Sequence, residues 1–215
     1  MTIWTAGLKY VGTGGLRLDE ASDRLRKQLT GEARDADGRR NVQLNSHLFQ
    51  DCLTSSGVFV DSKDSFYQID ARQFHDPDRR RSRVNHIGLS GPVLLGIAKD
   101  QAFGQWFFKH VLAVAAAAEA LRGGRLHVVC FCRAGRLRSV AVASLLEQLL
   151  AKFTAWTTRL EHLACHDWQW RTCNLCDKCR RPSGDDLFDA VRARQLAEVA
   201  FRWAFWRSAV LGARH

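Results

Sequence analysis

The chain has 215 residues, 46% of them hydrophobic and 25% charged, which suits one folded domain with a substantial core plus an appendage and excludes a wholly disordered chain. The formal charge of +10 predicts attraction to phosphate-rich partners such as RNA or DNA, although charge alone names no ligand. Seven cysteines, an odd number without a secretory pattern, argue for a reducing compartment, cytosol or nucleus, and for metal binding over disulfides.

Residues 1–45 read as an N-terminal extension, partly flexible, with a short helix near Glu20 to Leu29 and a polar Arg/Asp/Gly stretch from Gly31 to Arg40. Met1 to Leu8 is too short and polar for a signal-peptide core. Gly12-Thr13-Gly14-Gly15 has no following Lys at the spacing of a nucleotide-binding loop and reads as a turn, so no nucleotide and no ATP hydrolysis are predicted. Ordered structure is expected to resume near His47, opening an α/β domain over residues 46–162. Gly57 to Val60 and Phe66 to Ile69 read as strands.

After the second run comes Asp70-Ala71-Arg72-Gln73-Phe74-His75-Asp76-Pro77, then the cationic stretch Asp78 to Arg83 with Arg79, Arg80, Arg81 and Arg83. That stretch is either a solvated loop or a nucleic-acid contact. Gly88-Leu89-Ser90-Gly91-Pro92-Val93 reads as a turn, and residues 100 to 122 as a helix. Gln105, Lys109, His110 and Glu119 within its apolar run, and Gly123-Gly124 after it, mark a helix in a core rather than a membrane span, so no membrane partner is expected.

Leu126 to Phe131 is a short apolar run of strand length, and from Ser139 to about residue 152 the apolar positions Val140, Ala143 and Leu146 follow helical spacing. Between them lies Cys132-Arg133-Ala134-Gly135-Arg136-Leu137-Arg138-Ser139. A loop that enters a helix aims unpaired backbone N–H groups and the positive dipole end at one point. Gly135 permits close approach, while Arg133, Arg136, Arg138 and Ser139 add charge and donors suited to phosphate oxygens. The same spacing of Cys132 and Arg138 fits a cysteine-dependent phosphatase, in which a thiolate attacks phosphorus. Phe131 stands where that family has His, a general acid is also needed, for which Asp76 is only a guess, and a cysteine ending a buried strand also serves simply as a small core residue.

Thr154 to Leu160 reads as a last strand, completing a three-layer α/β arrangement with helices on both faces and the loop at a strand's carboxyl end, where such sheets bind ligands. Residues 163–182 then carry Cys165-His166 and Cys173-x-x-Cys176-x-x-Cys179. Three cysteines at these gaps suit a zinc knuckle that needs a fourth ligand, His162 or Cys165 being favoured over His166. Iron–sulfur ligation is a lesser alternative. Trp168, Trp170, Arg171, Lys178, Arg180 and Arg181 in the same segment would suit single-stranded nucleic acid, and core packing explains the tryptophans equally well. In residues 183–215, Asp185 and Asp186 open a helix to about Leu211 whose wide apolar stripe either docks on its own domain or forms a partner or homo-oligomer face.

Four motifs in order, Asp70-x-Arg72-x-Phe74, Asp76-Pro77, Gly88 to Val93 and Cys132-x-x-Gly135-x-x-Arg138-Ser139, resemble the C-terminal domain of the bacterial RNase adapter family RapZ over roughly residues 57 to 162. The resemblance implies an α/β domain that binds glucosamine-6-phosphate and structured RNA and presents RNA rather than making bonds. It assigns the sugar phosphate to Asp70, Arg72, Gly135, Arg136, Arg138 and Ser139. Leu137 replaces the family's usual His, the nucleotide-binding half is missing, and the cysteine knuckle is an addition. A zinc-stabilised interaction module is the third functional class these residues allow.

Overall fold

The computed structural model describes residues 1–7, 32–34, 40–42, 50, 53–54, 58–75, 87–132, 135–163 and 183–212. The strands are β1 (Thr2–Gly7), β2 (Glu32–Arg34), β3 (Arg40–Val42), β4 (Ser65–Asp70), β5 (Leu126–Cys132) and β6 (Arg159–His162). A 3-10 turn, Ala71–Gln73, follows β4, and the helices are α1 (Gly91–Ala98), α2 (Phe103–Glu119), α3 (Arg138–Phe153) and α4 (Gly184–Gly212). Four strands form one all-parallel sheet in the order β4-β5-β1-β6, and β2 pairs antiparallel with β3.

The apolar run of β5 is buried at every position, as expected of an inner parallel strand covered on both faces. Its alternate residues enter different cores. Leu126, Val128, Cys130 and Cys132 join Ile3, Ile69 and residues of α1, α2, α3 and α4 on one face. Val129 and Phe131 join Trp4, Ala6 and Leu53 on the other, with Val58, Val60, Phe66 and Leu163 packed around them. Helix α4 contributes Ala193, Ala197 and Phe201 to the first core. It lies so close to α1 that a Cβ on Gly91 would fall 1.9 Å from the Asp186 carbonyl oxygen.

Three sequence expectations need correction. Thr2–Gly7, expected within an extension, is an inner strand, paired with β5 from Thr2↔His127 to Gly7↔Cys132 and with β6 from Thr2↔Arg159 to Thr5↔His162. Its two threonines hide the apolar pattern, because Thr5 is buried against a polar partner, His162 Nδ1 at 2.8 Å. Residues 58–60 form no strand and instead lay Val58 and Val60 against the second core. The last strand is displaced to Arg159–His162 because the backbone N–H of Thr154 still bonds to Leu150 at the end of α3. One helix went unread as well: α1 begins at the Gly91-Pro92 pair that looks like a turn, with proline in its first turn, where no N–H is needed. The short helix expected near 20–29 lies outside the described residues.

A fully satisfied polar network sits in the second face. Trp4 Nε1 donates to His127 Nδ1 at 2.9 Å, and His127 Nε2 lies 3.0 Å from Asp64 Oδ2. Indole N–H only donates, so Nδ1 is the acceptor and His127 is neutral with its proton on Nε2, aimed at Asp64. Asp64 also accepts from the backbone N–H groups of Asp61 and Arg125 and from Arg125 Nη2. Burial alone would raise its pKa, but these donors outweigh it and hold the carboxyl at about 2. Among the described residues, no helix is long and apolar enough to cross a membrane.

Candidate functional site

The candidate site lies at the carboxyl ends of β5 and β4, where the chain leaves β5 to enter α3. Helix α3 starts without a side-chain cap, at Leu137, and without an acidic residue in its first turn. Among the described residues no side chain caps its first backbone N–H groups, and its first turn brings no acid to the positive dipole end. Gly135 holds φ at +63°, and a Cβ there would fall 2.6 Å from the amide nitrogen of Gly7 and 2.8 Å from the carbonyl carbon of Ala6. Only glycine meets both demands, the left-handed conformation and the contact with the end of β1.

Two other segments brace this loop. The Gly88 N–H donates to the Arg136 carbonyl at 2.9 Å. A Cβ on Gly88 would fall 2.2 Å from the Leu137 carbonyl oxygen and 2.4 Å from the Ala141 nitrogen. The turn from Gly88 thus bears directly on the entry to α3, which explains physically why this glycine motif accompanies the loop. From the other side, Arg138 Nη1 donates to the carbonyls of Arg72 at 2.9 Å and Phe74 at 3.1 Å. The segment after β4 and the first turn of α3 are one bonded unit.

Asp70 and Arg72 form an ion pair within that unit. Asp70 Oδ1 accepts from the Arg72 backbone N–H at 2.9 Å, and Oδ2 accepts from Arg72 Nη2 at 2.8 Å. The Arg72 guanidinium also lies over the Phe131 ring, 5.6 Å from its centroid. Cys132 Sγ and Ser139 Oγ lie 3.2 Å apart, both buried. Arg136 differs from its neighbours: its Nε is buried and has no hydrogen-bond partner among the described residues, a position that costs energy unless something pairs with it.

The structure therefore brings Asp70, Arg72 and Arg138 together by direct bonds, and sets Cys132, Gly135, Arg136 and Ser139 in the adjoining loop. Asp70 is paired with Arg72, Arg138 gives one nitrogen to backbone carbonyls, and Ser139 turns inward to Cys132. Chemically, the arrangement offers uncapped helix N–H groups and arginine donors to an anion. Arg133 lies outside the described residues, as do Asp76, Arg79, Arg80, Arg81, Arg83, Cys165, His166, Arg171, Cys173, Cys176, Lys178, Cys179, Arg180 and Arg181. His162 is described. It sits on the edge strand β6, its Nδ1 bonded to Thr5, and burial lowers its pKa. Among the described residues no group of three metal-ligating side chains occurs.

Sequence reasoning missed the contributions of Gly7, Asp100 and His110. Asp100 accepts from the backbone N–H of His75 at 3.2 Å and from that of Ala102 at 3.0 Å, so it ties the segment after β4 to the start of α2. His110 on α2 shares a 2.8 Å hydrogen bond with the Tyr67 hydroxyl, and burial, reinforced by Lys109 and opposed by Asp70, brings its pKa down to about 4. An aspartate just before a helix is a readable signal. A pairing across 43 residues is not. Family models, curated proteins and solved structures yielded no match to this chain.

Proposed function

We propose that this chain is a sugar-phosphate and RNA-binding module of the kind found in the C-terminal domain of RapZ, with phosphate held by Arg136, Arg138, Ser139 and the N–H groups at the start of α3, and the sugar read by Arg72 or Asp70. The observation that carries the reading is the start of α3, uncapped by any side chain, beside Arg136, whose buried Nε has no partner among the described residues. An anion there would give both their missing counter-charge. The four ordered motifs support the sugar phosphate as ligand class, and the charge of +10 supports RNA.

Titration calorimetry with glucosamine-6-phosphate, against glucosamine and inorganic phosphate, tests the proposal. Saturable binding of the phosphorylated sugar, weakened at least tenfold (about 1.4 kcal/mol) in Arg136→Ala, is expected. Absence of saturable heat from any of the three in the folded wild type overturns it.

The phosphatase reading draws on the Cys132–Ser139 hydrogen bond, which would suit a thiolate awaiting a hydroxyl donor. It is the weaker reading, because Cys132 is buried and a nucleophile has to meet its substrate; wild-type turnover of an aryl phosphate, abolished in Cys132→Ser, would reverse that ranking. We also propose zinc on Cys173, Cys176 and Cys179, with Cys165 or His162 as fourth ligand. Elemental analysis should find about one zinc per chain, lost in Cys176→Ser; metal-free protein of unchanged stability would discard the idea.

A further inference from the structure

We infer that Asp100, a residue outside the anion loop, is a positioning residue that turns Arg138 side-on to its ligand, so that a phosphoryl group is held by the Nε–Nη2 edge of the guanidinium. The inference rests on the phosphate-binding reading of this site and specifies its geometry. Arg138 opens α3 and is half-buried. Its Nη1 carries two hydrogens, and two carbonyls take them, those of Arg72 at 2.9 Å and Phe74 at 3.1 Å. Two acceptors on one nitrogen fix the plane of the guanidinium as well as its place. What is left is the edge formed by Nε–H and the nearer Nη2–H, two donors that are unbonded among the described residues. Donors side by side match two oxygens of one oxyanion, which a lysine ammonium in the same place could not do.

The Phe74 carbonyl is held in turn. It shares a peptide unit with the His75 N–H, which donates to Asp100 Oδ2 at 3.2 Å. A carboxylate bonded to the N–H of an amide draws electron density onto its oxygen through resonance, so the carbonyl becomes a stronger acceptor for a guanidinium. Asp100, the peptide and Arg138 thereby form a carboxylate–amide–guanidinium relay. Asp100 is well anchored for this task. Its side chain is 9% exposed, its Oδ1 accepts from the Ala102 N–H at 3.0 Å, and its Oδ2 also lies 3.0 Å from His75 Nδ1. Phe74 is clamped by its side chain too, its ring centroid 4.7 Å from that of Trp106 and 6.0 Å from that of Phe103, both on α2. The front of α2 therefore decides where the carbonyl stands, and through it how an arginine on α3 faces an anion. Such fixing ahead of binding lowers the ordering cost that a long, freely rotating side chain would otherwise impose.

Titration of the full chain with inorganic phosphate and with glucosamine-6-phosphate, followed by calorimetry and by the nitrogen–proton resonance of Arg138 Nε, tests this inference. In the wild type that resonance should move progressively as either ligand saturates. Asp100→Ala should bind both about tenfold more weakly, the effect expected from losing one hydrogen bond to a charged group. Asp100→Asn, whose amide oxygen still accepts the His75 N–H but without the charge, should recover part of that loss. A wild type that binds either ligand while the Arg138 Nε–H stays still overturns the inference and leaves the phosphate site standing, and this measurement needs no variant to fold. A folded Asp100→Ala chain with wild-type affinity overturns it in the same way. A wild type that binds neither ligand removes the site and the inference together.

Discussion

Arg138 does structural work before it meets any ligand. Its Nη1 serves the carbonyls of Arg72 and Phe74 together, and both would lose their charged donor in Arg138→Ala. A hydrogen bond from a charged group is worth about 1.5–3 kcal/mol, so denaturant unfolding of Arg138→Ala should show a loss of about 2 kcal/mol. An unchanged midpoint would mean the strut is replaceable by water. Arg136→Ala removes an arginine whose Nε is unpaired among the described residues, so its stability should move far less. The contrast between the two arginines lets ligand binding be separated from folding. Their spacing in the sequence marked both as phosphate donors; their division of labour was illegible, because the carbonyls that occupy Arg138 belong to a segment more than sixty residues earlier.

At the level of elements, β5, its loop and α3 were readable because strand, turn and helix follow one another in sequence and each announces itself locally: a buried apolar run, a glycine with positive φ, then helical spacing. The strand β1 was not readable. Six residues with two threonines carry little local signal, and what makes them a strand is pairing with residues 125 positions away, at Thr2↔His127. The same non-local contact sets the cost of changing the loop. Gly135→Ala would introduce a side chain at φ +63° and within 2.6 Å of the Gly7 nitrogen, so thermal unfolding should show a destabilisation of about 2 kcal/mol or more. Anion binding should fall with it, since the loop cannot move away without parting from β1. A fully stable Gly135→Ala protein would contradict the described loop.

Among the described residues, buried ionisable groups make the stability of the whole molecule depend on pH. His110 takes up a proton near 6.5 in the unfolded chain but near 4 in the fold, so stability falls as pH drops through that window, by about 3 kcal/mol at most. His127, lowered by burial against the pull of Asp64, adds a loss in the same direction below 6.5. Asp64 behaves as a depressed carboxylate: its contribution is complete above 3.8 and is lost as pH falls toward about 2. Guanidinium midpoints should therefore decline in two stages, between pH 6.5 and 4 and again below 3.8, and His110→Gln should flatten the first. A midpoint constant from pH 7.5 to 5 would contradict the buried neutral histidines.

The inner position of β1 also bears on how this protein is made. Both neighbours of the strand that carries Ile3 and Trp4, β5 and β6, are translated more than a hundred residues after it. Until residue 162 has emerged, the nascent chain holds an apolar strand with no permanent partner, and the sheet cannot close in the order of synthesis. Such vectorial delay favours capture by chaperones. It makes synthesis of β6, rather than of the helices before it, the event that lets the sheet close.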